Sequence, residues 1–168
     1  MTDLHTYPAA VASAKGTLYL QFRLNQQRFA LDVREVIEVL PRRPLKPIAQ
    51  APAWVAGILA HRGVLVPVVD LSALSFAQPA AERASTRLVL VRYRHEQVLG
   101  LILEQATETL RCMADEFQPY GLDNGEARYL GPVRQDAQGL LQRIVVDDLL
   151  TDSVRELLFP HEPGQVAP

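Results

Sequence analysis

Apolar and polar residues alternate along most of this chain, and that pattern is typical of β-strands with one buried face. Apolar residues at every second position run from Leu18 to Leu24, and after a short turn a second alternating run begins at Phe29. Residues 18–33 therefore predict a β-hairpin. The same pattern predicts further strands at 36–40, 55–60, 63–69, 88–93, 98–103, 107–110, 129–133 and 140–146. Many short strands separated by turns predict an all-β fold, built as small barrels or as a sandwich.

Proline and small polar residues mark the segments between the strands. Prolines at positions 41, 44, 47 and 52 predict that residues 41–52 form an extended connection, because no helix tolerates that spacing. Residues 72–85 and 114–128 are rich in small or polar side chains and are predicted to be loops. We expect residues 1–16 to be a flexible arm and 160–168 a flexible tail, which leaves 17–159 as the folded domain.

A short helix is predicted near the C-terminus. Asp147 or Asp148 is suited to cap its first turn. An apolar stripe follows and extends to Phe159; its members are Leu149, Leu150, Val154, Leu157 and Leu158. This stripe predicts that the helix packs on the strands.

A weak internal echo indicates that the fold contains two similar barrels. Residues 63–71 read Gly-Val-Leu-Val-Pro-Val-Val-Asp-Leu, and residues 139–149 read Gly-Leu-Leu-Gln-Arg-Ile-Val-Val-Asp-Asp-Leu. Chance similarity between two hairpins is the alternative explanation.

Composition and charge narrow the class of protein. The chain has 168 residues, 48% hydrophobic and 21% charged, which suits a soluble globular protein. A net charge of −2 favours neither nucleic acid nor an anionic membrane. The first residues do not read as a signal peptide, and the single cysteine, Cys112, has no partner for an internal disulfide. We therefore expect a cytoplasmic protein without membrane insertion.

Residues 54–71 carry the most specific signal. Two apolar runs flank the turn residues His61, Arg62 and Gly63, so a positive charge lies at a tight reversal between buried segments. A charge held there by a rigid scaffold is better placed for recognition than for folding. The segment also contains Pro-x-aromatic-hydrophobic-x-Gly at 52–57 and Arg-Gly, apolar residues and Pro-Val-Val-Asp-Leu at 62–71.

In this order and spacing, these motifs resemble the CheW family of chemotaxis coupling proteins. The resemblance runs from about Leu18 to Leu150 and includes a Val-x-Glu-Ile-like strand at 36–39 and an apolar strand at 100–104. It implies two intertwined five-stranded SH3-like barrels that share a core, with a short C-terminal helix. It implies no catalysis, no metal and no cofactor.

The resemblance also implies a function and its partners. CheW-like adaptors bind the regulatory domain of a CheA-type histidine kinase and the cytoplasmic tip of a methyl-accepting chemoreceptor, which would recruit this protein to membrane receptor arrays. The candidate partner-binding residues are Val36, Glu38, Gly57, Ile58, His61, Arg62, Gly63 and Thr109.

Most of these candidates also have a simpler, purely structural interpretation. Arg62 and Glu38 either pair across neighbouring strands and shape the loop, or are two solvated charges. Gly57 and the turn glycine are read as conformational, permitting positive φ or close strand approach. Val36 and Ile58 are more often core residues than contacts.

The chain departs from the family pattern at three places. The Asn-Leu that precedes the family's arginine is Ala60-His61 here, Thr109 replaces an aliphatic residue, and Asn25 replaces a turn glycine. These departures predict a specialised copy that serves a chemotaxis-like pathway other than swimming, such as surface sensing.

Enzymatic and nucleic-acid interpretations have less support. The four histidines share no metal-ligand spacing, and no nucleophile elbow or phosphate-binding glycine loop is present. The basic cluster formed by Arg34, Arg42, Arg43 and Lys46 is the basis of an alternative function, a small barrel that binds single-stranded nucleic acid. This stretch has no stacking aromatic residue, so a solvated loop with no nucleic-acid partner is preferred.

Overall fold

The residues described by the computed structural model, 16–119 and 127–160, fold mainly into β-hairpins. The predicted arm, except for its last residue, part of the loop at 114–128 and most of the predicted tail lie outside these residues. The described strands are β1 Thr17–Leu24, β2 Gln27–Asp32, β3 Val36–Pro41, β4 Val55–His61, β5 Val64–Asp70, β6 Arg87–Tyr93, β7 Gln97–Cys112, β8 Leu130–Asp136 and β9 Gly139–Ile144. The helices are α1 Leu71–Phe76 and α2 Asp152–Leu158.

One long strand, β7, belongs to both barrels. Its first half pairs antiparallel with β6 and, at residues 100–102, parallel with β5. Its second half pairs antiparallel with β1. The strand order β3-β6-β7-β5-β4 makes the first five-stranded barrel, and β7-β1-β2-β9-β8 makes the second. The predicted all-β fold of two intertwined barrels is confirmed.

Each barrel is completed by a single bridge from an irregular segment. In the first barrel, Lys46 of the proline-rich connection exchanges two backbone hydrogen bonds with Ile58 of β4, at 3.0 and 2.8 Å. In the second barrel, Gln118 does the same with Val133 of β8, at 2.7 and 2.9 Å. The connection at 41–52 is therefore a structural part of the first barrel, because its Lys46 pairs with β4, whereas β3 pairs with β6.

The internal echo is a true structural correspondence. β5 and β9 are both the second strand of a hairpin, and both pair parallel with a strand of another hairpin. The hairpin turns lie between His61 and Val64 and between Asp136 and Gly139, so Val64 occupies the place of Gly139. The sequence echo, which matched the two glycines, is therefore displaced by one residue at the turn.

Residues 16–119 and 127–160 form three apolar clusters, and the largest contains side chains from both barrels. The side chains of Leu99, Leu101 and Leu103 on one face of β7 join this shared cluster, whereas Ile102 on the other face lies inside the first barrel. Tyr19, Ala30 and Leu141 lie in a smaller cluster inside the second barrel. The side chains of β7 alternate, so its two faces pack into different cores.

The loop predicted at 72–85 is wrong in its first part, because residues 71–76 form helix α1. Asp70, at the end of β5, accepts hydrogen bonds from the backbone N–H of Ala73 at 3.1 Å and of Ala80 at 2.9 Å. The first bond caps the helix and the second ties down the segment that follows it. The buried carboxylate of Asp70 therefore organises the chain on both sides of α1.

The predicted helix near the C-terminus exists, but its cap and its stripe differ from expectation. Helix α2 begins after Thr151, and Asp147 instead accepts a hydrogen bond from the backbone N–H of Arg94 at 2.7 Å. Leu158 packs on the shared core, whereas Leu157 is 46% exposed and does not belong to the buried stripe. No helix within residues 16–119 and 127–160 is long and apolar enough to cross a membrane.

These positions predict unequal effects of truncating two neighbouring leucines. We expect Leu158→Ala to lower the free energy of unfolding by about 1–2 kcal/mol, because its half-buried side chain contacts the shared core. Leu157→Ala should change it by less than about 0.5 kcal/mol, because that side chain is exposed. Urea denaturation of both variants measures the difference, and equal losses would contradict this placement of α2.

Candidate functional site

The turn between β4 and β5 is a tight two-residue reversal. Arg62 and Gly63 both have positive φ, 52° and 79°. Two consecutive positive φ values are the mark of a type I′ turn, whose twist matches that of the flanking strands. Gly63 supplies this conformation at no steric cost, and a Cβ there would meet no atom within 4 Å. The turn therefore presents the Arg62 side chain at the end of the first barrel.

A four-residue polar network surrounds this turn. Glu38 accepts a hydrogen bond from Arg62 Nη2 at 3.0 Å and lies 3.0 Å from Nε2 of His61. Arg43 Nη1 lies 3.2 Å from Nδ1 of the same imidazole. The predicted pairing of Glu38 with Arg62 is confirmed, although it joins β3 to a turn and not to a hydrogen-bonded neighbouring strand.

The network lies at the mouth of the first barrel. Glu38 lies two residues before buried Leu40, and His61 lies two residues after buried Leu59, so both continue the inward faces of their strands. The His61 side chain is only 11% exposed, whereas that of Arg62 is 74% exposed. The arginine is thus the exposed group of the network, whereas the imidazole is nearly buried.

The hydrogen bonds restrict where the proton of a neutral His61 resides. With the proton on Nε2, the ring donates to Glu38 and its Nδ1 lone pair accepts from Arg43. The Nε group of Arg62 also approaches Nε2, at 3.1 Å, but one nitrogen cannot donate to Glu38 and accept from Arg62 at once. The Nε2–H form therefore satisfies Arg43 and Glu38 together.

Glu38 is the carboxylate that collects these donors. The hydrogen bond from His61, followed by the charge and hydrogen bond of Arg62, lowers the pKa of Glu38 below its ordinary value. The carboxylate is therefore ionised at neutral pH and balances one positive charge of the network.

Exposed aliphatic side chains lie around the same turn and on the outward face of β3. Leu65 is 71% exposed and lies opposite Ala60, and Val64 is also exposed. Ile37 and Val39 are exposed on β3, on either side of Glu38. We define the hairpin-end surface by its residues Glu38, Arg43, His61, Arg62, Val64 and Leu65. It combines exposed apolar area with positive charge, a combination that marks protein contact sites.

Gly57 supports this surface from within β4. It has a φ of +145°, and a Cβ at this position would lie 2.5 Å from the carbonyl oxygen of Lys46. The glycine therefore permits the close approach by which Lys46 bridges the adjacent Ile58. The conformational reading of Gly57 is confirmed, and Ile58 is half-buried beside it.

Two of the candidate residues do not join this site. Val36 is half-buried at the start of β3 and packs against the shared core. Thr109 is exposed on the half of β7 that pairs with β1, opposite Leu20 in the second barrel. The structure thus brings together Glu38, His61 and the turn, and places Thr109 on a different barrel.

Three residues of the hairpin-end surface, Arg43, Val64 and Leu65, are not among the candidates named from the sequence. The sequence pattern places Arg43 in a solvated basic loop, whereas in the structure it bonds to His61. Arg34 of the same predicted cluster pairs with Asp32 at 2.7 Å. Leu65 follows the outward alternation of β5, and that signal was available once the turn was placed. The described part of the chain has no aromatic side chain that is fully exposed, and none of its acidic, histidine and cysteine residues cluster as metal ligands.

A family model described as the CheW-like domain matches residues 18–154, which include all the described strands except the first residue of β1. The chain belongs to the CheW-like domain family. Its relatives include the "Chemotaxis protein CheW" of Rhizobium meliloti, 30% identical over 104 residues, or 62% of this chain and 66% of that protein. The protein of the same name from Klebsiella aerogenes is 26% identical over 119 residues, or 71% of each chain.

A solved structure confirms the fold of this CheW-like chain. It is the scaffolding protein TtCheW from Thermoanaerobacter tengcongensis, which superposes with a TM-score of 0.75 at 19% sequence identity. The superposition covers 90% of this chain and 94% of the other. The chain matches about two thirds of the length of the first relatives by sequence, and nearly all of the scaffolding protein by structure.

Proposed function

We propose that this protein is a non-enzymatic adaptor that couples a chemoreceptor to a CheA-type histidine kinase. Membership of the CheW-like family supports the pathway. The observation that carries the proposal is the hairpin-end surface, where Leu65, 71% exposed, lies at the same barrel end as Arg43 and Arg62. An apolar side chain this exposed on a rigid scaffold is expected to be covered by a partner protein.

The internal correspondence supplies a second contact of the same kind. Leu140, which occupies in β9 the place of Leu65 in β5, is 58% exposed at the corresponding end of the second barrel. In the proposed mechanism, the barrel ends bind kinase regulatory domains. The groove between the barrels binds the helical tip of the receptor, with Thr109 on the second-barrel side. An adaptor with separate faces holds two partners at once.

Coupling then follows from differential binding. A receptor state changes kinase activity only if it alters the relative stability of two arrangements of kinase and adaptor. The shared core makes the two barrels one rigid unit, so a shift of the receptor contact moves both barrel ends together. In this way the protein would transmit a receptor state without catalysing a reaction, within receptor arrays on the cytoplasmic side of the membrane.

The departures at Ala60 and His61 support a specialised copy of the family pattern. His61 builds the network that holds Arg43, and no such network forms with a leucine at this position. We propose that this copy serves a pathway other than swimming, such as surface sensing. Deletion of the gene should then impair surface-dependent behaviour and leave swimming chemotaxis intact, and the reverse phenotype would contradict the assignment.

Charge reversal at Arg62 tests the adaptor function. Arg62→Glu should weaken binding of the cognate kinase regulatory domain or of a receptor tip fragment by about tenfold, because it places a repulsive pair beside Glu38 at the contact. Because the Arg62 side chain is exposed, the variant should remain folded. Calorimetric titration measures the affinity, and circular dichroism checks the fold.

The matched control is Arg128→Glu, which reverses an exposed arginine in the turn before β8. It should bind both partners as the wild type does. If Arg62→Glu also binds both partners with wild-type affinity, the hairpin-end surface is not the docking site.

A further inference from the structure

The hairpin-end surface carries more positive than negative charge. Glu38 is its one carboxylate, and the guanidinium of Arg62 already bonds to it at 3.0 Å. Among the described residues, Arg43 bonds to an imidazole nitrogen and to no carboxylate. Its neighbour Arg42 reaches Glu82 only at 3.9 Å, outside hydrogen-bond range. The excess positive charge therefore lies at Arg43, at the same end of the first barrel as the exposed aliphatic side chains of Val64 and Leu65.

His61 fixes where this charge lies. Arg43 belongs to the proline-rich connection, which has no ladder partner at this point, and its contact with Nδ1 joins the connection to the hairpin. The other ring nitrogen is anchored on Glu38 of β3. The nearly buried imidazole thus links three segments and restricts a long, exposed arginine side chain that would otherwise sample many rotamers.

We propose that the partner docking on the hairpin-end surface carries carboxylates opposite Arg43, beside an aliphatic side chain that packs on Leu65. His61 is the positioning residue that holds Arg43 for this contact. The inference rests on the proposed function, since it gives the chemistry of the partner that the adaptor binds at this end. It makes the imidazole at position 61 a determinant of partner choice.

Charge and shape favour an acidic protein over nucleic acid at this surface. Non-sequence-specific binding of single strands relies on aromatic platforms, and every aromatic side chain in residues 16–119 and 127–160 is buried or half-buried. The apolar component is aliphatic, which suits a side chain of a partner protein. Charges at the rim of such a contact act mainly on the association rate and on the choice of partner.

The test measures association rates of the full-length protein with the regulatory domain of the CheA-type kinase encoded in the same genome. At low salt, about 50 mM NaCl, Arg43→Glu should slow association about tenfold. The difference should shrink strongly at about 0.5 M NaCl, where exposed charges are screened. Arg128→Glu, an exposed reversal on the second barrel, should associate as the wild type does.

Two substitutions separate positioning from mere packing at position 61. His61→Leu fills the same space without hydrogen bonds, and we expect association to slow about threefold at low salt. His61→Gln retains an acceptor for Arg43 and a donor for Glu38, so it should restore the wild-type rate. A purely structural role would not distinguish the two in this way.

The outcomes are separable from those of the proposed function. Wild-type binding with an Arg43→Glu rate unchanged or faster at low salt would overturn the acidic-partner inference and leave the adaptor function standing. Equal rates for His61→Leu and the wild type would overturn the positioning role. Salt-sensitive binding of a single-stranded oligonucleotide that Arg43→Glu abolishes would assign the surface to nucleic acid. Failure of the wild type to bind the kinase domain and a receptor tip fragment would reject the proposed function and this inference with it.

Discussion

Replacing Leu101 by alanine should lower the free energy of unfolding by about 3–4 kcal/mol, which for a chain of this size lowers Tm by about 10 °C. Leu101 is fully buried on β7 in the cluster between the barrels. Its loss leaves a cavity that neighbours cannot fill, since they belong to two barrels that share the strand. The loss should appear as one cooperative thermal transition, measured by calorimetry.

The Leu101 variant also tests whether the barrels are one folding unit. Amide protection in β2 of the second barrel should fall together with protection in β6 of the first, because both depend on the shared cluster. Leu65→Ala is the control on the same barrel, and its exposed side chain predicts a change below about 0.5 kcal/mol. Two resolved transitions in the Leu101 variant would show that the barrels unfold separately.

Asp136→Ala should cost about 3 kcal/mol, because it leaves a buried arginine without its partner. The side chain of Arg28 is 5% exposed and donates two hydrogen bonds to this carboxylate, at 2.8 and 3.0 Å. The carboxylate also accepts from the backbone N–H of Gln138 at 2.8 Å. Removing it therefore unpairs a buried charge and loosens the β8–β9 turn. Chemical denaturation at neutral pH measures the loss.

The same ion pair predicts that the free energy of unfolding depends on pH. The hydrogen bond from Arg28 lowers the pKa of Asp136 to about 2. A carboxyl group whose pKa is lower in the folded state stabilises that state above its unfolded pKa, near 4. That stabilisation is lost as the pH falls from about 4 to about 2. Because the variant lacks the group, its stability should fall less than that of the wild type over this interval.

Asp152→Ala is the matched control for burial. Asp152 also pairs with an arginine, Arg155, at 2.6 Å, but its side chain is 89% exposed. Exposed ion pairs contribute little, so this substitution should change the free energy of unfolding far less than Asp136→Ala does. Comparable losses for the two aspartates would show that burial does not set the contribution of the Arg28 pair.

Most of the fold could be predicted from alternation, because each strand has one face toward a core. The hairpins β1–β2, β4–β5 and β8–β9 lie within a few residues of their predicted bounds. Alternation does not show which core a face meets. That β7 is a single strand of 16 residues with different cores on its two faces follows only from the pairing with both β6 and β1.

The helices show where local pattern is insufficient. Helix α1 has six residues, too few for a helical period, and depends on the Asp70 cap and on packing. Its one sequence signal is the aspartate directly before Leu71. Asp147 was expected to cap the C-terminal helix. Its carboxylate instead accepts a hydrogen bond from the backbone N–H of Arg94, which is distant in sequence. A tertiary partner of this kind leaves no trace in local sequence.

The site was predictable in part. The turn at Arg62 and its pairing with Glu38 followed from the family motif, and the structure confirms their contact. Arg43 lies 18 residues before His61, and no periodic pattern relates them. Their contact depends on how the proline-rich connection is bridged to Ile58, which the pattern of apolar residues does not encode.

The double membership of β7 constrains how this protein evolves. A substitution in its buried face is selected against by both halves of the molecule, whereas one at position 60 perturbs a single exposed corner. We therefore expect orthologues to accumulate differences at the hairpin corners and to retain the long strand. New binding specificities would then arise by substitution at the hairpin corners, while β7 stays unchanged.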